Sequence, residues 1–263
     1  MTKLTPIFKE KVWGSTRLEP LFRNSPNKIG EVWFEGAGHL PLLIKFLFTT
    51  EKLSVQVHPN DDYAREHHDS AGKTEMWHIL AAEPGAQIAA GFKETITPQR
   101  LREASLSGEI ENLLEWHDAA PGDTFYIPAG TVHAIGAGLT LCEIQQHSDV
   151  TYRLHDYGRP RELHLDRAVE VSHLGPHPAR QKTAQNTYLE RLVSSPYFTT
   201  SRLCISKAQN YIATPHPGEF FIMIEGSGTV DGQPSIAGDV WYLEAGVEKT
   251  VFFGDAVFLQ VLP

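Results

Sequence analysis

Residues Gly122 to His133, GDTFYIPAGTVH, read as one short strand between two turns, with a histidine placed just beyond the second. Gly122-Asp123 turns the chain, and Thr124 to Ile127 is β-branched or aromatic. Pro128-Ala129-Gly130 then breaks the strand three residues before His133. The same punctuation recurs at Gly238-Asp239, Tyr242-Leu243-Glu244, Gly246 and Lys249, with identical spacing from the Gly-Asp to the last residue. An internal repeat of this kind predicts two related β-barrels, the second beginning near Tyr188.

The rest of the chain carries the same signals. Lys28–Phe34, Leu42–Phe48, Leu53–His58, Glu75–Ala81, Thr124–Pro128, Leu139–Gln145, Leu203–Ile212, Glu219–Glu225 and Asp239–Leu243 are short apolar runs bounded by Gly, Pro or Asp. Many short strands with Gly-rich turns specify an all-β sandwich or barrel architecture with a few short helices. One helix stands out, opened by Thr97 as N-cap and Pro98 at the first turn, and split or kinked at Gly108. The polar, Pro-containing stretch from His173 reads as a linker. The expected organisation is therefore a first domain over 1–172, with N-terminal strands and an inserted helix, a linker over 173–187 and a second domain over 188–263.

Composition narrows the function classes. The 263 residues are 41% hydrophobic and 21% charged, enough for a real core. Two cysteines, Cys142 and Cys204, without a CxxC pair, suit a reducing compartment, and the N-terminus shows no apolar signal segment; the expected location is cytoplasmic. The longest apolar run, Leu40 to Phe48, contains Lys45 and is too short for a bilayer. A net charge of −9 disfavours nucleic acid and anionic membranes as partners. An anionic small molecule remains compatible if a local cationic pocket receives it. A monomer and a homodimer fit the sequence equally.

Gln56 and His58 lie two apart in a strand pattern, so both side chains share one face while Val55 and Val57 point the other way. Glu75 opens the next strong strand, and His133 follows the PAG turn. Four N/O donors on neighbouring strands can converge on one ion, and imidazole with carboxylate suits Zn²⁺, Fe²⁺, Mn²⁺ or Ni²⁺. Most of the 13 histidines sit in polar or loop-like contexts and are assigned no role. His78, three residues after Glu75, should face away from it.

The spacing G-x5-P-x-G-x2-H is similar to the second motif of cupins. LSVQVHPND (53–61), GKTEMW (72–77), CEIQQHSDVTYRLHDYGR (142–159), FKEKVWGSTRL (8–18) and IGEVW (29–33) together resemble type I mannose-6-phosphate isomerases over nearly the whole chain. The resemblance implies two cupin-like jelly-roll barrels and one zinc ion per chain on Gln56, His58, Glu75 and His133. It also implies Arg153 and Lys73 as catalytic cations, and Lys45, Ser54 and Glu143 as substrate-binding residues. Lys249 stands in the histidine position of the repeat, which implies a metal-free second barrel.

The implied reaction is aldose–ketose isomerisation of mannose 6-phosphate and fructose 6-phosphate through an enediol. One departure bears on the substrate. Relatives carry a longer segment between the GE-W strand and the LLxK strand, whereas only 34–41 joins them here. An isomerase of another phosphosugar and a non-catalytic sugar-sensing cupin therefore remain alternatives. A metal-dependent oxygenase is the weakest reading, because such sites present more histidines. Arg159 and Arg161 read either as phosphate ligands or as solvated loop charges. Arg153 and Lys45 read as pocket residues, since a lysine inside LLIKFLF needs a partner or a wet cavity.

Overall fold

Strands that are apolar on both faces must be covered on both sides, and Leu42–Thr49 shows how this chain meets that demand. All eight of its residues are buried. The computed structural model describes residues 1–177, 188–206, 211–213, 218–244 and 250–263. Leu42–Thr49 lies inside a six-stranded antiparallel sheet, ordered Thr5–Ser15, Ile29–Glu35, Leu42–Thr49, Leu139–Gln146, Glu75–Ala82, Thr124–Ile127. One face of this sheet meets a five-stranded sheet, ordered Tyr152–His155, Val55–Val57, His133–Ile135, Gln87–Phe92, Leu114–Asp118. Leu47, Trp77, Ile79, Ile88, Ile135 and Leu141 form the apolar core between the two.

The other face meets a third sheet of eight strands. Its main path runs Thr2–Lys3, Val240–Leu243, Glu219–Val230, Thr250–Leu262, Thr199–Ile205, Leu189–Ser194. Tyr211–Ala213 pairs with Thr250–Leu262, and Gln233–Ile236 with Glu219–Val230. Phe46, Phe48, Met76 and Ile144 of the six-stranded sheet share one core with Phe198, Phe220, Ile222 and Val261 of this third sheet. The alternation along LLIKFLFT follows: Ile44, Phe46 and Phe48 face the third sheet, while Lys45 and Leu47 face inward. The first strand of the chain pairs Thr2 with Tyr242. The N-terminal residues are thus stitched to the C-terminal sheet.

The internal repeat has a structural counterpart. Gly122 and Gly238 both adopt positive φ, 89° and 98°, a conformation that favours glycine. Each following aspartate accepts a hydrogen bond from the backbone N–H three residues before it: Ala120 N to Asp123 at 2.7 Å and Ile236 N to Asp239 at 2.9 Å. Each turn also docks on the same ladder position of a neighbouring strand, through Ile79 in one case and Met223 in the other. Gly246 and Lys249 of the repeat lie outside the described residues, as does 178–187 of the expected linker. His173 and Pro176, at the start of that linker, are bridged to Thr131 and Gly91 of the first barrel.

The helices cover the outer face of the five-stranded sheet. Pro98–Ser107 is capped by the Thr97 side chain, which accepts from Arg100 N at 3.1 Å, and it ends at Gly108 with φ 82°. Ile110–Leu113 follows as a separate turn. Val55 and Val57 point into the cluster under these helices, with Leu101, Ala104, Ile110 and Ala168. Asp61–His68 and Leu165–Val171 are helices that the sequence pattern did not reveal, since each buries a single alanine. Thr5–Ser15, Gln87–Phe92, Leu114–Asp118 and Thr250–Leu262 are strands it did not single out. The two ends of the expected strand Leu203–Ile212 fall in the strands Thr199–Ile205 and Tyr211–Ala213, and 207–210 lie outside the described residues. No helix among the described residues is long and apolar enough to cross a membrane.

His78 faces away from Glu75, as expected, and is buried with its Nδ1 at 3.0 Å from Thr124 Oγ1. Burial, and then the Arg202 charge, push its pKa from 6.5 down to about 4. The folded chain therefore holds this ring neutral where the unfolded chain protonates it. The stability it permits is complete above about pH 6.5 and is lost as pH falls towards 4. In denaturant titrations, His78→Gln should flatten this acid limb, recovering about 3 kcal/mol relative to wild type between pH 7 and pH 4. Parallel pH curves for the two proteins would contradict the assignment.

Candidate functional site

The site lies where the ends of two strands of the five-stranded sheet face the start of one strand of the six-stranded sheet. Val55–Val57 presents Gln56 on its inner side and delivers His58 one residue beyond its end. Gln56 pairs in register with His133 on one flank and with Arg153 on the other. Across the barrel, Glu75 begins its strand directly beside Gln145. Two turns hold this arrangement. Gly130 adopts φ 88° and donates its N–H to His58 O at 2.8 Å, which sets the approach of His133 to His58. A Cβ at Gly72 would fall 2.6 Å from the Asn60–Asp61 backbone, so only glycine lets the GKTE segment lie this close.

One ligand atom from each of His58, Glu75 and His133 lies within 4.8 Å of the others. Glu75 Oε1 is 3.6 Å from His58 Nε2 and 3.4 Å from His133 Nε2. Both histidines commit Nδ1 to a backbone carbonyl, His58 to Val150 O at 3.0 Å and His133 to Thr131 O at 2.9 Å. That fixes the tautomer and leaves each Nε2 lone pair facing the carboxylate, as in metal-binding imidazoles whose other ring nitrogen is held by a carbonyl. His133 Nε2 and Glu75 Oε1 are buried with no hydrogen-bond partner. Orphaned donor atoms at full burial are costly, so this set fits a divalent cation.

The electrostatics agree. Burial opposes charge on Glu75, yet Lys73 and the two imidazoles hold its carboxyl well below the usual range. Burial, followed by the Lys73 charge, pushes His58 down to about 3. Burial lowers His133 despite the opposing pull of Glu75. Neutral imidazoles beside an ionised carboxylate are the protonation states a metal requires. Lys73 Nζ flanks the group, 2.8 Å from both Glu75 Oε2 and His58 Nε2.

This cluster adjoins a cavity of about 270 Å³. Ser54, Gln56, Lys73, Lys45, Glu143 and Arg153 all line it, so the structure brings together every sequence-selected residue. Lys45 is tied to Glu143 Oε1 at 2.7 Å and Gln145 Oε1 at 2.6 Å. Burial opposes its charge, but Glu143 and Glu31 raise its pKa above the ordinary value. Arg153 donates to Glu162 O at 2.8 Å and, among the described residues, faces no carboxylate so closely; burial and then the Arg161 charge lower its pKa. Arg159 is half-buried and Arg161 is exposed, and both are engaged in ion pairs. Both grip the buried Asp156, Arg159 Nη2 at 2.8 Å and Arg161 Nε at 2.5 Å, and Arg161 also reaches the cavity.

Several lining residues escaped the sequence reading. Asp149 and Thr151 precede Arg153 at steps of two, so the period-2 pattern in SDVTYR carried a signal for them. Glu31 and Trp33 stand two apart in IGEVW in the same way, but only the pairing of Trp33 with Lys45 shows which side they face. Lys11 and Trp13 come from a strand the pattern did not mark.

A family model described as phosphomannose isomerase type I, catalytic domain, matches residues 21–77. Mannose-6-phosphate isomerase ManA of Bacillus subtilis is 35% identical, with 85% of each chain covered. A mannose-6-phosphate isomerase of Streptococcus mutans is 37% identical over 76% of this chain and 65% of its own. Among solved structures, the Bacillus subtilis mannose 6-phosphate isomerase superposes with a TM-score of 0.86 at 29% identity, covering 99% of both chains. A Salmonella typhimurium phosphomannose isomerase variant shares the fold, with a TM-score of 0.78 at 15% identity and 98% of both chains covered. Identity sustained across five-sixths of the chain, on a barrel whose cavity gathers the expected donors, shows that this chain belongs to the type I phosphomannose isomerase family.

Proposed function

We propose that this chain is a mannose-6-phosphate isomerase, interconverting mannose 6-phosphate and fructose 6-phosphate with one divalent metal bound by Gln56, His58, Glu75 and His133. The observation that carries the reading is the junction itself: three converging donor side chains adjoin a cavity lined by Lys73, Glu143, Ser54 and Arg153. The relatives named above are mannose-6-phosphate isomerases, and family membership brings that substrate to this chain. The cavity lining carries Lys11, Lys45, Lys73, Arg153 and Arg161 against Glu31, Glu143 and Asp149. That surplus of cations, inside a chain of net charge −9, is a local field suited to a phosphate dianion.

Zinc is the metal best matched to two imidazoles, a carboxylate and a neutral amide, and when bound it supplies Lewis-acid polarisation of the substrate oxygens. The chain's own residues carry the remaining demands. Isomerisation moves a proton between C1 and C2 through an enediol, and negative charge develops on oxygen as it does so. Arg153 and Lys73 are fixed cations beside the donor cluster and stabilise that charge without reorganising. Ser54 is buried in the wall and offers a hydroxyl to the sugar. Glu143 faces the cavity with Oε1 held by Lys45 and Oε2 by Trp77 Nε1 at 3.2 Å, so it stays in one orientation.

A coupled assay with mannose 6-phosphate tests the activity, and protein that turns over neither this sugar nor fructose 6-phosphate would sink the reading. Elemental analysis of protein purified without chelator should find one equivalent of zinc on this site, with His133→Ala losing it. Retention of stoichiometric zinc in that variant would reject the ligand set.

Arg153→Ala should lower kcat and kcat/KM together, by about 10²–10³-fold, as for loss of a preorganised donor acting in the transition state. Zinc content and melting temperature should stay near wild type. A raised KM with unchanged kcat would reassign Arg153 to phosphate anchoring.

A further inference from the structure

We propose that Trp33 is a positioning residue for the isomerisation, acting through Lys45 to fix Glu143 in the cavity wall; the inference rests on the isomerase reading above. The basis is a single row of side chains running across the six-stranded sheet. Trp33 pairs in register with Lys45, Lys45 with Glu143, and Glu143 with Trp77. Residues directly opposite on adjacent strands have their Cβ atoms about 5 Å apart and point to the same face. The row therefore places a buried ion pair between two indoles.

Each member is engaged on both sides. Lys45 Nζ donates to Glu143 Oε1 and to Gln145 Oε1, and it sits 4.6 Å from the centre of the Trp33 ring. An ammonium has three donors. Two are spent on the carboxylate and the amide, and the indole covers the remaining approach by a cation–π contact. The Trp33 N–H is fixed in turn, donating to Glu31 Oε2 at 3.0 Å. At the other end Trp77 donates to Glu143 Oε2, and its ring packs edge-on against His133 at 5.2 Å. The row thus reaches from the outer part of the wall to the histidine of the donor cluster.

Trp33 is half-buried and lines the cavity, whereas Lys45 and Glu143 are both about 4% exposed. Removing the indole would open Lys45 to cavity water. The ammonium would then gain hydration and rotamer freedom, and the Glu143 carboxylate would lose its only charged hydrogen-bond donor among the described residues. Lys45 therefore works from behind Glu143, and Trp33 keeps it there.

The test is a kinetic double-mutant cycle on zinc-loaded full-length protein. Trp33→Leu should lower kcat about 10- to 100-fold, the scale of a misaligned catalytic wall, with zinc content unchanged. Lys45→Met should show a loss at least as large. Placed in the Lys45→Met background, Trp33→Leu should change kcat by less than about twofold, because its effect passes through the ammonium already removed. Trp33→Phe retains a ring over the ammonium and should recover most of kcat; if Trp33→Leu does not fold, the same cycle run with Trp33→Phe closes at smaller amplitude. Multiplicative losses in the double variant would overturn the proposal, since they mean that Trp33 touches the sugar directly. An unchanged kcat in folded Trp33→Leu, with only its melting temperature lowered, would reduce Trp33 to a structural role. Wild-type protein without isomerase activity would remove this proposal together with the function it rests on, whereas an active wild type with an additive cycle removes this proposal alone.

Discussion

A carboxylate with no exposure to solvent is the constraint around which this molecule is arranged. Glu75 is buried completely, and water cannot stabilise its charge. An ion moved to such a place must find compensating charge and hydrogen-bond donors from the protein or from a bound cation. Lys73 supplies one contact, and His58 and His133 turn their Nε2 atoms towards it. Those three groups come from different parts of the chain, so the charge of one side chain sets the mutual position of two sheets and two turns. The hydrogen bonds from His58 and His133 to backbone carbonyls then make sense as orientation rather than as stability alone.

The same logic extends outward in layers. Lys45, set in an otherwise apolar strand, is buried at comparable cost and is matched by Glu143 and Gln145. Asp156 is buried just after the Tyr152–His155 strand and is matched by Arg159 and Arg161. Each of these three buried charges has a named partner, and the partners lie on neighbouring strands or in an adjoining loop. The third sheet makes this affordable. By covering the outer face of the six-stranded sheet with Phe198, Phe220, Ile222 and Val261, it keeps the strands that carry Lys45, Glu75 and Glu143 rigid and dry on their far side. Among the described residues, the third sheet therefore supports the site without contributing to its lining.

The chain's own pattern identified much of the fold. Gly122-Asp123 and Gly238-Asp239 marked a repeated turn because glycine tolerates positive φ and aspartate can accept from the backbone N–H three residues earlier. Both properties belong to the residue types and need no tertiary context. The Gln56–His58 spacing and the PAG turn before His133 isolated the donor set, since period 2 fixes which side chains share a face. The short helices Asp61–His68 and Leu165–Val171 escaped because each is only about two turns long and fully buries a single alanine, with Leu165, Val169 and Val171 only partly buried against the core. The Thr5–Ser15 strand escaped for a related reason: it is a half-exposed edge with mixed polarity, and its register with Ile29–Glu35 shifts twice.

Sequence alone thus determined the all-β class, the repeated turn, and the residue types and faces of a candidate metal-binding set, because turn chemistry and strand alternation are local. Tertiary structure decided what those local rules leave open. Register across strands set Trp33 beside Lys45 and Lys45 beside Glu143, and a shift of one residue would have sent each to the opposite face. Register also gave Lys45 a carboxylate partner within the cavity wall. Loop packing gave Arg159 and Arg161 a shared buried partner in Asp156. These outcomes depend on contacts between residues far apart in the chain, such as 45 and 143. Charge, cavity and neighbour meet there only once the sheets have closed on one another.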